Sequence, residues 1–377
     1  MTAPHAKRLA GLGTTIFTEM TALAVRTGAI NLGQGFPDTD GPPAAIEAAV
    51  AALRGGENQY APLPGVPALR EAVLEHQRDW YGLEPEDVLV TFGATEAIAA
   101  ALLGLCDPGD EVVVLEPYYD SYAACIAFAG ATRRPVTLRP PGFEVDPDAL
   151  RTAIGPRARL LLLNSPHNPT GRVLTRVELE LIAAACLEHD LICVTDEVYE
   201  HLVYDGEHIP LATLPGMAER TLTISSVGKS FSFTGWKIGW CSGPASLVAA
   251  TRTVKQYLTF AGGTPLQHAA AAALRLPRDE IANLADELHV KRDQLCAGLD
   301  AAGLRPYVPA GTYFVNADVG MDAAEFCREL PERCGVVAIP TGVFYDDEDA
   351  GRTLARFAFC KRAEVIAEAA VRLATLG

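Results

Sequence analysis

The sequence predicts an α/β fold, a mostly parallel central sheet flanked by helices, with a smaller α+β domain attached. Three observations predict it. Between about Asn58 and Cys241, short β-rich runs alternate with amphipathic or Ala-rich helical stretches, the pattern of strands joined by crossover helices. The runs at 160–163 and 191–195 are almost continuously apolar, as in strands buried on both faces. After about Pro265 the texture changes, and long helical patterns dominate.

In chain order, the first 45 or so residues do not fit the alternating pattern. Gly33-Gln34-Gly35-Phe36-Pro37-Asp38 and Gly41-Pro42-Pro43 mark irregular chain there. Strands are expected at 88–92, 111–115, 160–163, 191–195, 222–225 and 238–241. Helices are expected at 95–105, 119–129, 176–189 and 246–260. Beyond Pro265, helical patterns at 266–276, 279–302 and 361–376 enclose short strands at 312–317 and 356–360. This gives an N-terminal arm with part of the small domain over 1–45, a large domain over 46–264 and a small C-terminal domain over 265–377. Ligands of such sheets sit outside the C-terminal strand ends.

The chain has 377 residues, enough for two or three units and a large core. Hydrophobic residues make up 49% and charged residues 21%, which argues against disorder. The formal charge, 31 − 47 = −16, is poorly suited to nucleic acid or an anionic membrane. No run of 18 apolar residues suggests a membrane span. The first residues, Met-Thr-Ala-Pro-His-Ala-Lys-Arg, are not followed by a segment of signal-peptide type. The nine cysteines are scattered, and Cys106, Cys125, Cys186, Cys193 and Cys241 sit among apolar residues as small buried hydrophobes. A reduced, cytoplasmic setting is expected.

Four segments carry chemistry. The first, Ser225-Ser226-Val227-Gly228-Lys229, follows a strand pattern and precedes Gly235-Trp236-Lys237-Ile238-Gly239-Trp240. A lysine beside glycine is usually a solvated turn residue. At a strand end, in a partly desolvated pocket, it loses basicity and becomes an amine nucleophile toward aldehydes. In the second, Val194-Thr195-Asp196-Glu197-Val198-Tyr199, a carboxylate ends an apolar strand. Such an acid is costly unless it caps a helix or meets a cation, such as a protonated ring nitrogen. The third, Asn164-Ser165-Pro166-His167-Asn168-Pro169-Thr170-Gly171, fixes Asn168 at the sheet edge or makes a bare turn. The fourth, Gly93-Ala94-Thr95-Glu96-Ala97, is either a phosphate site at a helix start or a tight turn capped by Thr95. No metal site is expected.

Together these segments resemble a class I aminotransferase of the pyridoxal-phosphate fold type I superfamily, from about Thr15 to the end. The spacings match too: 28 residues from Asn168 to Asp196, 3 from Asp196 to Tyr199, 3 from Ser226 to Lys229 and 8 from Lys229 to Lys237. Asn-Leu-Gly-Gln-Gly-Phe-Pro-Asp, Asn-Gln-Tyr-Ala-Pro-Leu-Pro-Gly and Gly-Thr-Tyr-Phe resemble the kynurenine/glutamine and methionine transaminase branch. The chain also resembles bacterial sequences assigned as N-succinyldiaminopimelate aminotransferases.

The resemblance implies pyridoxal 5'-phosphate as cofactor. It makes Lys229 the covalent attachment point and proton shuttle, and Asp196 the partner of the ring nitrogen. Tyr199 and Asn168 would donate to the ring hydroxyl oxygen, and Tyr118 would stack on the ring. The amides of Ala94 and Thr95, with Ser226 and Lys237, would bind the phosphate. Tyr60 would reach the phosphate held by a partner subunit, which implies a homodimer with composite sites. Arg356 would clamp the substrate α-carboxylate, with Gly35 against the same group. Lys237 stands where many class I members have arginine. Phe17 matches an aromatic that lines the side-chain pocket, or simply anchors the N-terminal arm.

The function expected is transfer of an amino group from an L-amino acid to a 2-oxo acid. The stretch 257–265 has no cation for a distal carboxylate. A pocket edged by Phe17, Tyr118 and Phe260 suits a neutral long or aromatic side chain, of the methionine, glutamine, kynurenine or phenylalanine type. N-succinyl-LL-diaminopimelate is the alternative, since its succinyl charge can reach the rim. A cysteine-conjugate C–S β-lyase would use the same Lys229.

Overall fold

The computed structural model describes residues 6–9, 13 and 15–376. The first five residues, where a signal segment was looked for, and parts of the N-terminal arm lie outside them. A two-residue strand β1 (Ile30–Asn31) comes first. Seven strands then build the main sheet: β2 (Asp87–Thr91), β3 (Glu111–Glu116), β4 (Thr132–Thr137), β5 (Ala158–Asn164), β6 (Ile192–Asp196), β7 (Thr221–Ser226) and β8 (Gly239–Gly243). Their order is β2-β8-β7-β6-β5-β3-β4. All neighbouring pairs are parallel except those of β8, which runs antiparallel to β2 and β7. The expected parallel sheet is therefore present, with one reversed strand and an edge strand, β4, that the apolar pattern missed. Arg133, Arg134 and Pro135 break that pattern, as edge strands tolerate.

Alternation along β5 shows why the sheet needs cover on both sides. Leu160 and Leu162 pack with helix Gly93–Leu105, while Leu161 and Leu163 pack with helix Arg176–Glu188. All four are buried. Helix Arg176–Glu188 starts with a capping box: the Thr175 hydroxyl accepts from the Glu178 amide, and the Glu178 carboxylate accepts from the Thr175 amide.

A second sheet, β12-β13-β10-β9, is wholly antiparallel. Its strands are β9 (Arg305–Tyr307), β10 (Phe314–Asp318), β12 (Ile339–Pro340) and β13 (Leu354–Ala358). Strand β11 (Val336–Val337) pairs in parallel with β1. The N-terminal helix Ile16–Thr27 packs on this core, through Met20 and Ala24. No helix among the described residues is long and apolar enough to cross a membrane. All nine cysteines are free, and the five expected in the core are buried.

Beneath β7 and β8 lies a buried polar layer. His76 Nε2 and His201 Nε2 are 2.8 Å apart. Glu200 accepts from the Tyr81 and Ser225 hydroxyls at 2.8 and 2.5 Å. Desolvation lowers both histidines, His201 to about 3, against the opposing pull of Glu200. The folded pair thus stays neutral at a pH where an unfolded histidine, with a pKa of about 6.5, takes up a proton. The stability this contributes is present above pH ~6.5 and falls away as the pH drops toward the folded values. Urea midpoints of the wild type and of His201→Phe should test this. The wild type should lose about 2 kcal/mol more than the variant between pH 7 and pH 5. Parallel pH profiles would contradict it.

Candidate active site

The main sheet delivers polar groups to one place, the C-terminal ends of β5, β6 and β7. Asn164 ends β5, Asp196 ends β6 and Ser226 ends β7. Lys229 follows in the short turn Val227–Ser230. The helix Gly93–Leu105 begins at the same level, with no side chain capping its first amides. A cavity of about 140 Å³ lies between them. Ala94, Thr95, Asn168, Asp196, Tyr199, Ser226, Lys229 and Lys237 all line it. Eight residues singled out from sequence are thus brought together.

Asp196 is buried without a cation. Tyr122 donates to its Oδ2 at 2.6 Å, and the Val198 amide approaches Oδ1 at 3.4 Å. Desolvation raises its pKa to about 6, against the pull of the Tyr122 hydroxyl. No helix follows for it to cap. Lys229 is also desolvated, which lowers its pKa to about 8. Its ammonium has only a long contact, 3.4 Å, to the Gly35 carbonyl. Near pH 8 it is half neutral, as a nucleophilic amine requires.

Asn164 holds the frame: its Nδ2 donates to the Asp196 carbonyl and its Oδ1 accepts from the Asn168 amide, both at 2.7 Å. Gly93 has φ 71°, and a Cβ there would come within 3.2 Å of Lys237 Nζ. Lys237 therefore stands directly over the helix start, where an anion binds best. Free amides, a hydroxyl and an ammonium at one end fit a phosphate. An unpaired carboxylate at another fits a protonated ring nitrogen, and a half-neutral lysine fits an aldehyde. The residues present fit pyridoxal phosphate.

A second cavity, of about 250 Å³, adjoins the first and shares Asn168, Tyr199 and Lys229 with it. Phe17, Gly35 and Arg356 line it. Arg356, on β13, is buried. Its Nη1 donates to Asn168 Oδ1 at 3.0 Å and its Nη2 to the Gly33 carbonyl at 3.2 Å, while Nε has no partner. The rings of Phe314, Phe344 and Phe17 lie 4.0, 4.9 and 5.4 Å from its guanidinium carbon. Desolvation lowers its pKa to about 10. A guanidinium held only by neutral groups fits an incoming carboxylate. Gly35 must be glycine, because a Cβ would lie 2.4 Å from Phe314 Cζ.

One sequence expectation changes. Tyr118 is not in the cavity: its amide donates to the Phe344 carbonyl at 2.9 Å and its hydroxyl to Asp346. The next residue, Tyr119, lines both cavities instead. The turn after Pro117 sends the two side chains different ways. Tyr60 is 81% exposed and packs edge-on to the half-exposed Phe260 at 5.6 Å. Neither lines the two cavities of its own chain, as residues that serve a partner's site would not. Tyr122 and Asn164 were missed; Tyr122 sits one helical turn beyond Tyr119, a spacing that could have flagged it.

A family model described as aminotransferase class I and II matches residues 27–373. "Probable N-succinyldiaminopimelate aminotransferase DapC" of Mycobacterium tuberculosis is 51% identical over 387 residues, covering 98% of each chain. "Methionine aminotransferase" of Escherichia coli is 41% identical over 377 residues, 98% of this chain and 97% of that one. The solved structure of N-succinyldiaminopimelate aminotransferase from Mycobacterium tuberculosis superposes with a TM-score of 0.97 at 51% identity, over 99% of this chain and 100% of that one.

The exchange of Tyr118 for Tyr119 is testable. Tyr119→Leu should weaken pyridoxal-phosphate binding about three- to tenfold, the worth of one aromatic stacking contact. Tyr118→Phe should leave that affinity unchanged. Titration of the apoprotein, followed by the cofactor's visible absorption, would check both, and the opposite pattern would restore Tyr118.

Proposed function

The chain belongs to the class I and II aminotransferases, pyridoxal-phosphate-dependent enzymes, and on that premise we propose that it is an N-succinyl-LL-diaminopimelate:2-oxoglutarate aminotransferase. The supporting observation is the 51% identity to the DapC protein over 98% of both chains. It moves the choice away from the neutral side chains that the residues alone favoured. A second reading, a methionine-type donor, keeps some support from the aromatic wall of Phe17, Phe36 and Phe314 in the substrate cavity.

Bound pyridoxal phosphate supplies an electron sink conjugated to the substrate α-carbon. The chain's residues do the rest. Arg356 binds the α-carboxylate and so orients the α-carbon toward Lys229. Lys229, with its lowered pKa, takes the proton from the substrate α-carbon and would hand it to the cofactor's aldehyde-derived carbon. Asp196 holds a negative charge for the ring nitrogen, and Tyr122 fixes that carboxylate. Asn168 accepts from Arg356 through Oδ1, which leaves its amide hydrogens for the ring hydroxyl oxygen, beside the Tyr199 hydroxyl. The Ala94 and Thr95 amides, Ser226 and Lys237 take the phosphate, and Tyr119 covers the ring. The amino acid leaves as its 2-oxo acid, and 2-oxoglutarate collects the nitrogen.

The succinyl group reaches the cavity mouth, where its carboxylate stays hydrated. A short aspartate side chain would instead bury an unpaired charge. Tyr60 and Phe260, exposed side by side, suit a homodimer in which Tyr60 reaches the partner's phosphate site. The chain divides into an arm with part of the small domain over 1–45, a cofactor-binding domain over 46–264 that carries the main sheet, and a small domain over 265–377 that carries the antiparallel one. A cytoplasmic setting suits nine free cysteines.

A donor panel with 2-oxoglutarate tests the substrate. N-succinyl-LL-diaminopimelate should exceed methionine, glutamine and phenylalanine about tenfold or more in kcat/KM, with aspartate lowest. Methionine or phenylalanine leading the panel would favour the second reading. Lys229→Ala should lose at least about 100-fold in turnover with every donor, the low end for a removed general acid–base group.

A further inference from the structure

We propose that Asp346 is a positioning residue for substrate binding: with Tyr118 and Arg133 it latches the segment 344–346 to the main sheet and so sets the aromatic wall around Arg356. The inference rests on Arg356 as the carboxylate clamp.

The three residues of the segment are each tied to the edge pair β3 and β4 or to the chain just beyond them. The Phe344 carbonyl accepts from the Tyr118 amide at 2.9 Å. The Tyr345 hydroxyl donates to the Leu138 carbonyl at 3.0 Å. The Asp346 amide donates to Glu116 Oε2 at 2.8 Å, while Glu116 Oε1 accepts from the Thr137 hydroxyl at 2.7 Å. The Asp346 carboxylate then accepts from the Tyr118 hydroxyl and from Arg133, whose Nη2 lies 3.0 Å from Oδ1. Buried Glu116 and the more exposed Asp346 thus join the end of β3 to the segment that follows β12.

The reason to connect this with catalysis is Phe344. Its ring is buried, 4.9 Å from the Arg356 guanidinium carbon and 6.0 Å from the Phe17 ring. Arg356 has no carboxylate partner, and its Nε is unpaired. Neutral carbonyl and amide oxygens and the surrounding rings alone set its direction. A shift of Phe344 therefore moves the clamp. None of Tyr118, Arg133 and Asp346 lines either cavity, so any effect on substrate passes through that ring. Arg133 and Asp346 are each about a third exposed, and an ion pair so placed adds little to stability. A merely structural pair would therefore leave substrate affinity alone.

Steady-state kinetics of the cofactor-loaded enzyme test the latch in Asp346→Asn and, from the other side of the same contact, Arg133→Gln. The KM values for amino donor and 2-oxo acid should both rise about fivefold, a coupling typical of side chains in contact. kcat and the cofactor absorption band should stay unchanged. Asp346→Glu should recover part of the loss. In an Arg356→Lys background, Asp346→Asn should add nothing further, because the clamp it positions is gone. Unshifted KM in both variants, a fall in kcat at constant KM, or full additivity with Arg356→Lys would overturn the latch. A wild type active on its donor alongside unshifted variants would refute the latch alone; a wild type inactive on every amino donor would refute the proposed function and the latch with it.

Discussion

Buried charge with no ion-paired protein partner is the constraint on which this molecule turns. Asp196, Lys229 and Arg356 are each desolvated, and each is shifted toward its neutral form by that burial. Their hydrogen bonds go to neutral groups: the Tyr122 hydroxyl, the Gly35 carbonyl, Asn168 and the Gly33 carbonyl. An isolated charge in such a place costs several kcal/mol. The fold carries that cost because the ligands would relieve it: a cationic ring beside Asp196, a carboxylate on Arg356, and an aldehyde that takes up the Lys229 amine in its neutral form. Much of the surrounding structure serves to keep the three groups fixed until then. Asn164 braces Asn168 and the end of β6, and Gly35 lets Phe314 close on Arg356.

The two sheets divide this work. The main sheet supplies the cofactor end of the site, because its parallel strands all finish at one edge and the crossover chains must turn there. The antiparallel sheet supplies Arg356 from the middle of β13, paired with Asn316 of β10. Asn316 in turn donates to the Pro169 carbonyl and accepts from the Thr341 hydroxyl. The loop at Pro169, the strand carrying Arg356 and the segment leading to Phe344 are thereby linked through one buried amide.

The cofactor end was legible in the sequence because each functional group there sits just beyond an apolar run. Strand ends announce themselves, and eight of the expected residues line one cavity. Strand β4 was not legible, because an edge strand need not be apolar on both faces. Nor could the sequence decide between Tyr118 and Tyr119. The choice depends on Phe344 and Asp346, more than 220 residues away in the chain, and no local period contains that information.

The central claim is that Lys229, desolvated but unpaired, is the amine that receives the cofactor's aldehyde. The most direct measurement is to load the protein with pyridoxal phosphate, reduce it with borohydride and map the modified peptide by mass spectrometry. The account predicts one reduced cofactor per chain, on the peptide carrying Lys229. Labelling confined to Lys237 or to surface lysines, with Lys229 unmodified, would contradict it.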